Sequence, residues 1–249
     1  MANDVQFSER KRIAILIDGD NAQPSPIKEI LAEVSKHGRT TLRRIYGDWT
    51  TPNMNAWKET LQDNAIQPIQ QFRHAKGKNT TDSAMIIDAM DILHSGLVDA
   101  FCLVSSDSDF TRLATRIRGR GLFVIGIGNK KTLNAFTNAC DVFVFTENLA
   151  PPKKQTTAVA KQATSAAATV PATAALPLIK KSFQLCVQDD GWASLSSMGA
   201  RLRSLDPSFD HRTFGCSSLR ALVTKLSEAI DMRAEKATTG NTTAFIRVK

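Results

Sequence analysis

The chain has 249 residues, 42% of them hydrophobic, and a formal net charge of +8, a length that allows one large domain or two smaller ones. No apolar run is long enough to span a bilayer, and residues 1–12 lack the apolar centre of a secretory signal, so neither a membrane protein nor an exported one is expected. The four cysteines (Cys102, Cys140, Cys186, Cys216) form no C-x-x-C pair; this argues against a zinc site or a disulfide framework and fits a reducing cytoplasm. The charge is unevenly shared. Up to Ala150 there are 18 Lys+Arg against 17 Asp+Glu, and from Pro151 onward 14 against 7, so the two parts carry +1 and +7. A nearly neutral first part and a basic second part predict that the second part meets a polyanion.

Ile13-Ala-Ile-Leu-Ile17 reads as a buried strand ending at Asp18-Gly-Asp-Asn21. A helix is predicted over Pro26 to Lys36, with Pro near its start and Gly38 just after its end. Thr41 to Tyr46 reads as a strand, and residues 53–63 as a helix with Met54, Trp57 and Leu61 at helical spacing. Ile66 to Phe72 is a third strand, followed by a basic loop over residues 73–78. Asp82 to His94 reads as a helix with Ala84, Ile87, Met90 and Ile92 or Leu93 inward. Phe101-Cys-Leu-Val104 is another short apolar strand, breaking into Ser105-Ser106-Asp107-Ser108-Asp109. Phe110 to Arg120 reads as a basic amphipathic helix, Leu122 to Gly126 as a strand, Thr132 to Ala139 as a short helix and Asp141 to Phe145 as a last strand. Strands alternating with helices predict βαβ units, hence an α/β parallel sheet with helices on both faces.

Residues 150–176 are rich in Ala, Thr, Pro, Lys and Gln with almost no large apolar side chain, and read as a flexible tether. Beyond them, helical spacing resumes over Leu178 to Val187. Trp192, Leu195, Met198, Leu202 and Leu205 continue a compact core, Leu219, Leu222, Val223 and Leu226 supply a third helix, and Thr243 to Val248 closes as a strand. Helices with a terminal strand in so short a segment suit a small winged helix-turn-helix.

In an open α/β sheet, ligands sit outside the carboxyl ends of the strands, at the point where the strand order reverses. Asp18, Asp107 and Asp109 fall at strand ends, and Asp82 at a helix start. Carboxylates converging there repel one another unless a cation lies between them, and hard oxygen ligands suit Mg²⁺ or Mn²⁺. Taken singly, Asp107 and Ser108 could simply cap the next helix, and Asp82 could do the same for its own. Asn21 either hydrogen-bonds to Asp18 and fixes its rotamer or caps a helix; Asp20 reads as a turn residue. Asp88 lies about 120° around the helix from Asp82 and reads as outward or structural. Lys76 and Lys78 either contact phosphates beside the acids or form a solvated loop. The histidines show no ligand spacing.

Three segments, Ile15-Leu-Ile-Asp-Gly-Asp-Asn21, Lys78-Asn-Thr-Thr-Asp82 and Leu103-Val-Ser-Ser-Asp-Ser-Asp-Phe110, resemble the signature segments of NYN domains in the PIN-like nuclease family, over residues 11–149. The resemblance implies a Rossmann-like sheet and an acidic cluster that binds Mg²⁺ or Mn²⁺ for RNA hydrolysis. It places Asp18, Asp82, Asp107 and Asp109 as catalytic and metal-binding acids, with Asn21, Ser105 and Ser106 as supporting residues. Ser106 stands where many members of that family have Gly. Residues 177–249 are similar to a LOTUS (OST-HTH) domain, on Gly191-Trp-Ala-Ser-Leu-Ser-Ser-Met-Gly199, Pro207-Ser-Phe-Asp-His-Arg-Thr-Phe-Gly215 and Leu219 to Leu226. Such a domain implies RNA binding, or a protein partner; Arg201, Arg203, Arg212 and Lys225 are the candidate phosphate contacts, with Trp192 and Phe214 read as core.

The expectation is a metal-dependent ribonuclease acting on single-stranded or structured RNA, with a tethered RNA-binding domain. The alternatives are a non-catalytic RNA-binding or regulatory protein, and a phosphatase with Asp18 as nucleophile, prompted by Asp18-x-Asp20 after a strand. Nothing in the sequence fixes an oligomeric state.

Overall fold

A computed structural model describes residues 11–72, 80–149, 170–236 and 242–249. The basic loop with Lys76 and Lys78, and the tether as far as residue 169, lie outside the described residues. Two units follow along the chain, Met1–Ala150 and Pro151–Lys249.

The first unit runs β1 (Arg12–Asp18), α1 (Ile27–Ser35), β2 (Arg39–Gly47), α2 (Asn55–Asp63), β3 (Gln67–Gln70), α3 (Thr80–Ser95), β4 (Ala100–Val104), α4 (Thr111–Arg118), β5 (Phe123–Gly128), α5 (Asn134–Ala139) and β6 (Val142–Phe145). All strand pairs are parallel, in the order β3-β2-β1-β4-β5-β6. The chain steps outward from β1 to β3, then returns past β1 to lay β4 on its other side. The order therefore reverses between β1 and β4, where a crevice opens at the carboxyl ends.

Burial explains the uninterrupted apolar strands. Ile13 to Ile17 are all 0% exposed, because successive side chains alternate between two covered faces. Ile13, Ile15 and Ile17 pack with Ile30 and Val34 of α1 and Trp57 of α2. Ala14 and Leu16 pack with Met85 and Ala89 of α3, Leu113 of α4 and Phe136 of α5.

In α3 the buried residues are Thr81, Asp82, Met85, Ala89, Ile92 and Leu93. Ile87, expected to face inward, is 64% exposed. It lies two residues from both Met85 and Ala89, about 200° around the helix from each, so their burial turns it to solvent. The stripe that buries Met85 and Ala89 is also the one that carries Asp82 inward. Asp88 is structural: its Oδ1 accepts from Arg44 Nη1 at 2.5 Å and its Oδ2 from the Tyr46 hydroxyl, which closes α3 onto β2.

The second unit contains α6 (Leu176–Gln184), β7 (Ala193–Ser194), α7 (Leu195–Leu205), α8 (Leu219–Lys225), β8 (Ile230–Lys236) and β9 (Thr242–Val248). Its strands form a separate antiparallel sheet, ordered β7-β9-β8. Ile179, Met198, Leu202, Leu222, Val223 and Ile246 form the core beneath it. A 3-10 turn, Ala172–Ala175, precedes α6 and buries Ala175, so residues assigned to the tether take part in this fold. β8 was not expected from the sequence. Trp192, expected in the core, lies outside it: Ala193 points inward at 0% exposure, so its neighbour points to the opposite face of the sheet. There the Arg233 guanidinium lies 4.3 Å and that of Arg247 4.8 Å from the Trp192 ring, within cation–π range. Phe214 does pack against the core.

Among the described residues, no helix is long and apolar enough to cross a membrane.

Candidate metal centre

Three polypeptide segments meet at the crevice between β1 and β4. The first is the end of β1. Asp18 is its last residue and is fully buried. The turn after it is tight: the Gly19 amide donates to Tyr46 O at 2.9 Å, and a Cβ on Gly19 would lie 2.7 Å from that oxygen and 2.8 Å from Met54 Cε. Only glycine fits without displacing β2, so the geometry that aims Asp18 depends on it.

The second segment follows β4. Ser105 is buried and its hydroxyl donates to Asp18 Oδ2 at 2.7 Å while accepting from the Asp107 amide at 3.0 Å. Asn21 Nδ2 donates to the same carboxylate oxygen at 2.9 Å, and the Asn21 amide to Oδ1 at 3.3 Å. Asn21 therefore orients Asp18, the first of the two roles its position allowed. Burial raises the Asp18 carboxyl above its ordinary range, against the lowering effect of the bonds from Asn21 and Ser105. Asp107 caps the 3-10 turn Ser108–Phe110, accepting from the Asp109 amide at 2.9 Å. Asp107 thus caps this turn, while the helix Thr111–Arg118 that follows has Phe110 at its N-cap and no side-chain cap; the capping role coexists with a place in the acidic cluster. Ser106 accepts from the Asn129 amide at 2.9 Å, tying the loop to the end of β5; a side chain fits at this position and has a use.

The third segment is the first turn of α3. Asp82 is 8% exposed, and its neighbour Thr81 donates to Asp20 Oδ2 at 2.8 Å. Carboxylate oxygens of Asp82, Asp107 and Asp109 lie within 4.8 Å of one another. Asp82 is buried, Asp107 half-buried and Asp109 exposed, so the group grades from interior to solvent. Asp18 is outside this trio but acts on it through its charge. Burial first, then the charges of Asp18, Asp107, Asp109 and Asp20, push the Asp82 carboxyl up to about 6. Like charges gathered in a half-dry site favour whatever neutralises one of them, a proton or a cation. Oxygen-only donors of this kind fit Mg²⁺ or Mn²⁺.

A cavity of about 270 Å³ shares Asn21, Ser105 and Ser106 with this site and extends to Ile30, Ile127 and Asn129. Asn129 and Thr81 were not reached from the sequence. The signal for Asn129 was present, since Gly126-Ile-Gly-Asn129 ends a strand in small and polar residues as the other two site segments do. A Cβ on Gly128 would lie 2.6 Å from Ser105 O, which shows how closely β5 approaches the site.

The residues proposed to contact phosphate in the second unit do not share one environment. Arg201 and Arg203 are exposed on α7. Lys225 donates to Gly215 O at 3.4 Å. Arg212 is a poor candidate, because its Nη2 lies 2.6 Å and its Nε 2.8 Å from Asp210 Oδ2. Burial works against the Asp210 charge, yet the Arg212 bonds hold its carboxyl below the ordinary range.

Comparison with known proteins agrees with this architecture. The NYN domain model matches residues 12–147 and the OST-HTH/LOTUS domain model residues 168–239. No curated protein matches the chain. Among solved structures, a protein of unknown function from Vibrio parahaemolyticus is similar at 21% identity, covering 54% of this chain and 91% of its own, with a TM-score of 0.46. An uncharacterized protein from Nitrosomonas europaea is similar at 23% identity, covering 39% and 91%, with a TM-score of 0.29. Both are distant likenesses. The match over more than half its length shows that the chain belongs to the NYN domain family, with an OST-HTH/LOTUS domain after it.

Proposed function

We propose that the chain is a metal-dependent ribonuclease that hydrolyses RNA phosphodiester bonds, with Asp82, Asp107 and Asp109 holding Mg²⁺ or Mn²⁺ and Asp18 set behind them. The observation that carries this reading is the convergence within 4.8 Å of three carboxylates from two segments, Asp82 of α3 and Asp107 and Asp109 of the loop after β4, at the reversal point of a parallel sheet. An ion bound there supplies Lewis acidity and lowers the pKa of water. The chain's own residues do the positioning. Asn21 and Ser105 lock the Asp18 rotamer, and Ser105 joins Asp18 to the Asp107 loop through one hydroxyl. The Asp107 cap fixes where its carboxylate points. Asp18 itself, wholly buried and accepting three hydrogen bonds, is poorly placed to attack a substrate. This argues against the phosphatase alternative. The basic OST-HTH/LOTUS domain would raise local RNA concentration through the tether. The thiols of all four cysteines are free, in keeping with the reducing cytoplasm we propose for it.

The test is cleavage of a labelled single-stranded RNA with Mn²⁺ or Mg²⁺. Wild type should cut; a chelator, or Asp107→Asn, should abolish cutting while RNA binding persists. RNA bound but never cut would favour a binding or regulatory protein, and hydrolysis of small phosphate esters in place of RNA would favour a phosphatase.

A further inference from the structure

The basic helix after the acidic cluster has no part in the site described so far. We propose that Arg112, Arg116 and Arg120 form a phosphate-binding rail along which one RNA strand leaves the acidic cluster; this rests on the ribonuclease reading of that cluster. Arg112 is the third residue beyond Asp109, because α4 starts directly after the 3-10 turn that Asp107 caps. Leu113, Ala114 and Ile117 are buried and fix which face of α4 meets the sheet. Arg112 and Arg116 are exposed on the other side, and Arg120 is exposed in the turn that ends the helix. Each four-residue step advances about 6 Å with a rotation of only about 40°. Arg112 and Arg116 thus lie on one ridge, at a spacing comparable to that of successive phosphates along a strand, and Arg120 follows in the turn just past the end of the helix.

Their partners set these arginines apart. Arg12 pairs with Asp99, Arg44 with Asp88 and Arg118 with Asp141. Arg118 also donates to the carbonyls of Asn138 and Ala139, so it serves packing between α4 and α5. Arg112, Arg116 and Arg120 make no side-chain hydrogen bond or ion pair among the described residues. Like charges at a spacing of four residues on a helix repel one another, and among the described residues none of the three arginines makes an ion pair with an acid. The unit as a whole carries only +1, so the ridge is a local concentration of charge in a nearly neutral unit. Bound phosphates would relieve that repulsion and would draw the strand across the neighbouring carboxylates, whose own charge would otherwise repel it. The ligand is the sugar–phosphate backbone of single-stranded RNA, recognised without regard to sequence.

The experiment measures binding of a labelled single-stranded oligoribonucleotide to the full chain in EDTA, as a function of salt. For single strands, log K falls with log salt by about 0.7 per neutralised phosphate. Each of Arg112→Gln, Arg116→Gln and Arg120→Gln should reduce the slope by about 0.7, and the triple variant by about 2. The triple Arg→Lys variant keeps the charges and should keep the slope. Arg39→Gln removes an exposed arginine from the first residue of β2, outside α4 and the turn that ends it, and should change nothing. With Mn²⁺ added, the triple Gln variant should show a raised KM and an unchanged kcat. An unchanged slope in the triple Gln variant overturns the rail. So does an equal loss in Arg39→Gln, or in the triple Lys variant. Slopes as expected without any cleavage would support the rail and contradict the ribonuclease reading; cleavage with unaltered slopes would do the reverse.

Discussion

At the residue scale, Asp18 shows how one carboxyl is held in place inside a core, its pKa raised by burial against the hydrogen bonds it accepts. Its desolvation is opposed by the hydrogen bonds from Asn21 and Ser105. Truncating an outer partner of a metal-site carboxylate typically costs 10–100-fold in activity or metal affinity. Asn21→Ala should therefore lower kcat/KM by about 10–100-fold with the fold intact, as checked by cleavage kinetics beside a thermal melt. Asp82 carries a pH signature. Its folded-state pKa of about 6 lies above its ordinary 3.8, so between those values the folded state binds the extra proton. By linkage, stability of the metal-free protein then falls as pH rises through that window, by on the order of 1–3 kcal/mol for this group. Melts in EDTA should show that decline from about pH 4 to 6, and Asp82→Asn should flatten it. An equal decline in the variant would place its origin elsewhere.

At the scale of elements, what could be read from the sequence depended on whether a signal was local. The strands of the parallel sheet were legible because burial on both faces makes them continuous apolar runs, as in Ile13 to Ile17. Strand ends were legible as abrupt changes to small polar residues, and these carried Asp18, Asp107 and Asp109. The register of α3 was not. Its sequence Ala84-Met-Ile-Ile-Asp-Ala-Met90 is apolar on several faces, and only the packing decides that Met85 and Ala89 are inside and Ile87 outside. β8 had a readable pattern, with Ile230, Met232 and Ala234 alternating with Asp231, Arg233 and Glu235. Its charged members mask so short an alternation until pairing with β9 is seen. The outward turn of Trp192 likewise depends on the sheet that β7 joins. The β1–α1 turn provides a prediction for element geometry. Gly19→Ala would force its Cβ against Tyr46 O and Met54 Cε, costing about 1–3 kcal/mol by analogy with overpacking. Because β1 must shift to relieve the clash, activity should fall further than stability does. Denaturant unfolding and cleavage rates on the same sample would check this.

At the scale of the molecule, the charge is divided unevenly between the two units. The NYN unit is nearly neutral and gathers its acids at one crevice; the second unit carries most of the excess positive charge. That imbalance was legible from composition alone, and the order of the two folds from the alternation of elements and the signature segments. Which cations remain available was not legible, because ion pairs such as Arg212 with Asp210 and Arg118 with Asp141 emerge only when the chain is folded. The ribonuclease reading depends on the acids acting together as a cation site. The most direct measurement is Mn²⁺ binding followed by electron paramagnetic resonance, titrating wild type and the Asp82→Asn and Asp107→Asn variants. Quenching of the free-ion signal by wild type, largely lost in both variants while their melts remain cooperative, is the predicted result. Variants that bind Mn²⁺ as tightly as wild type would contradict the site at its centre.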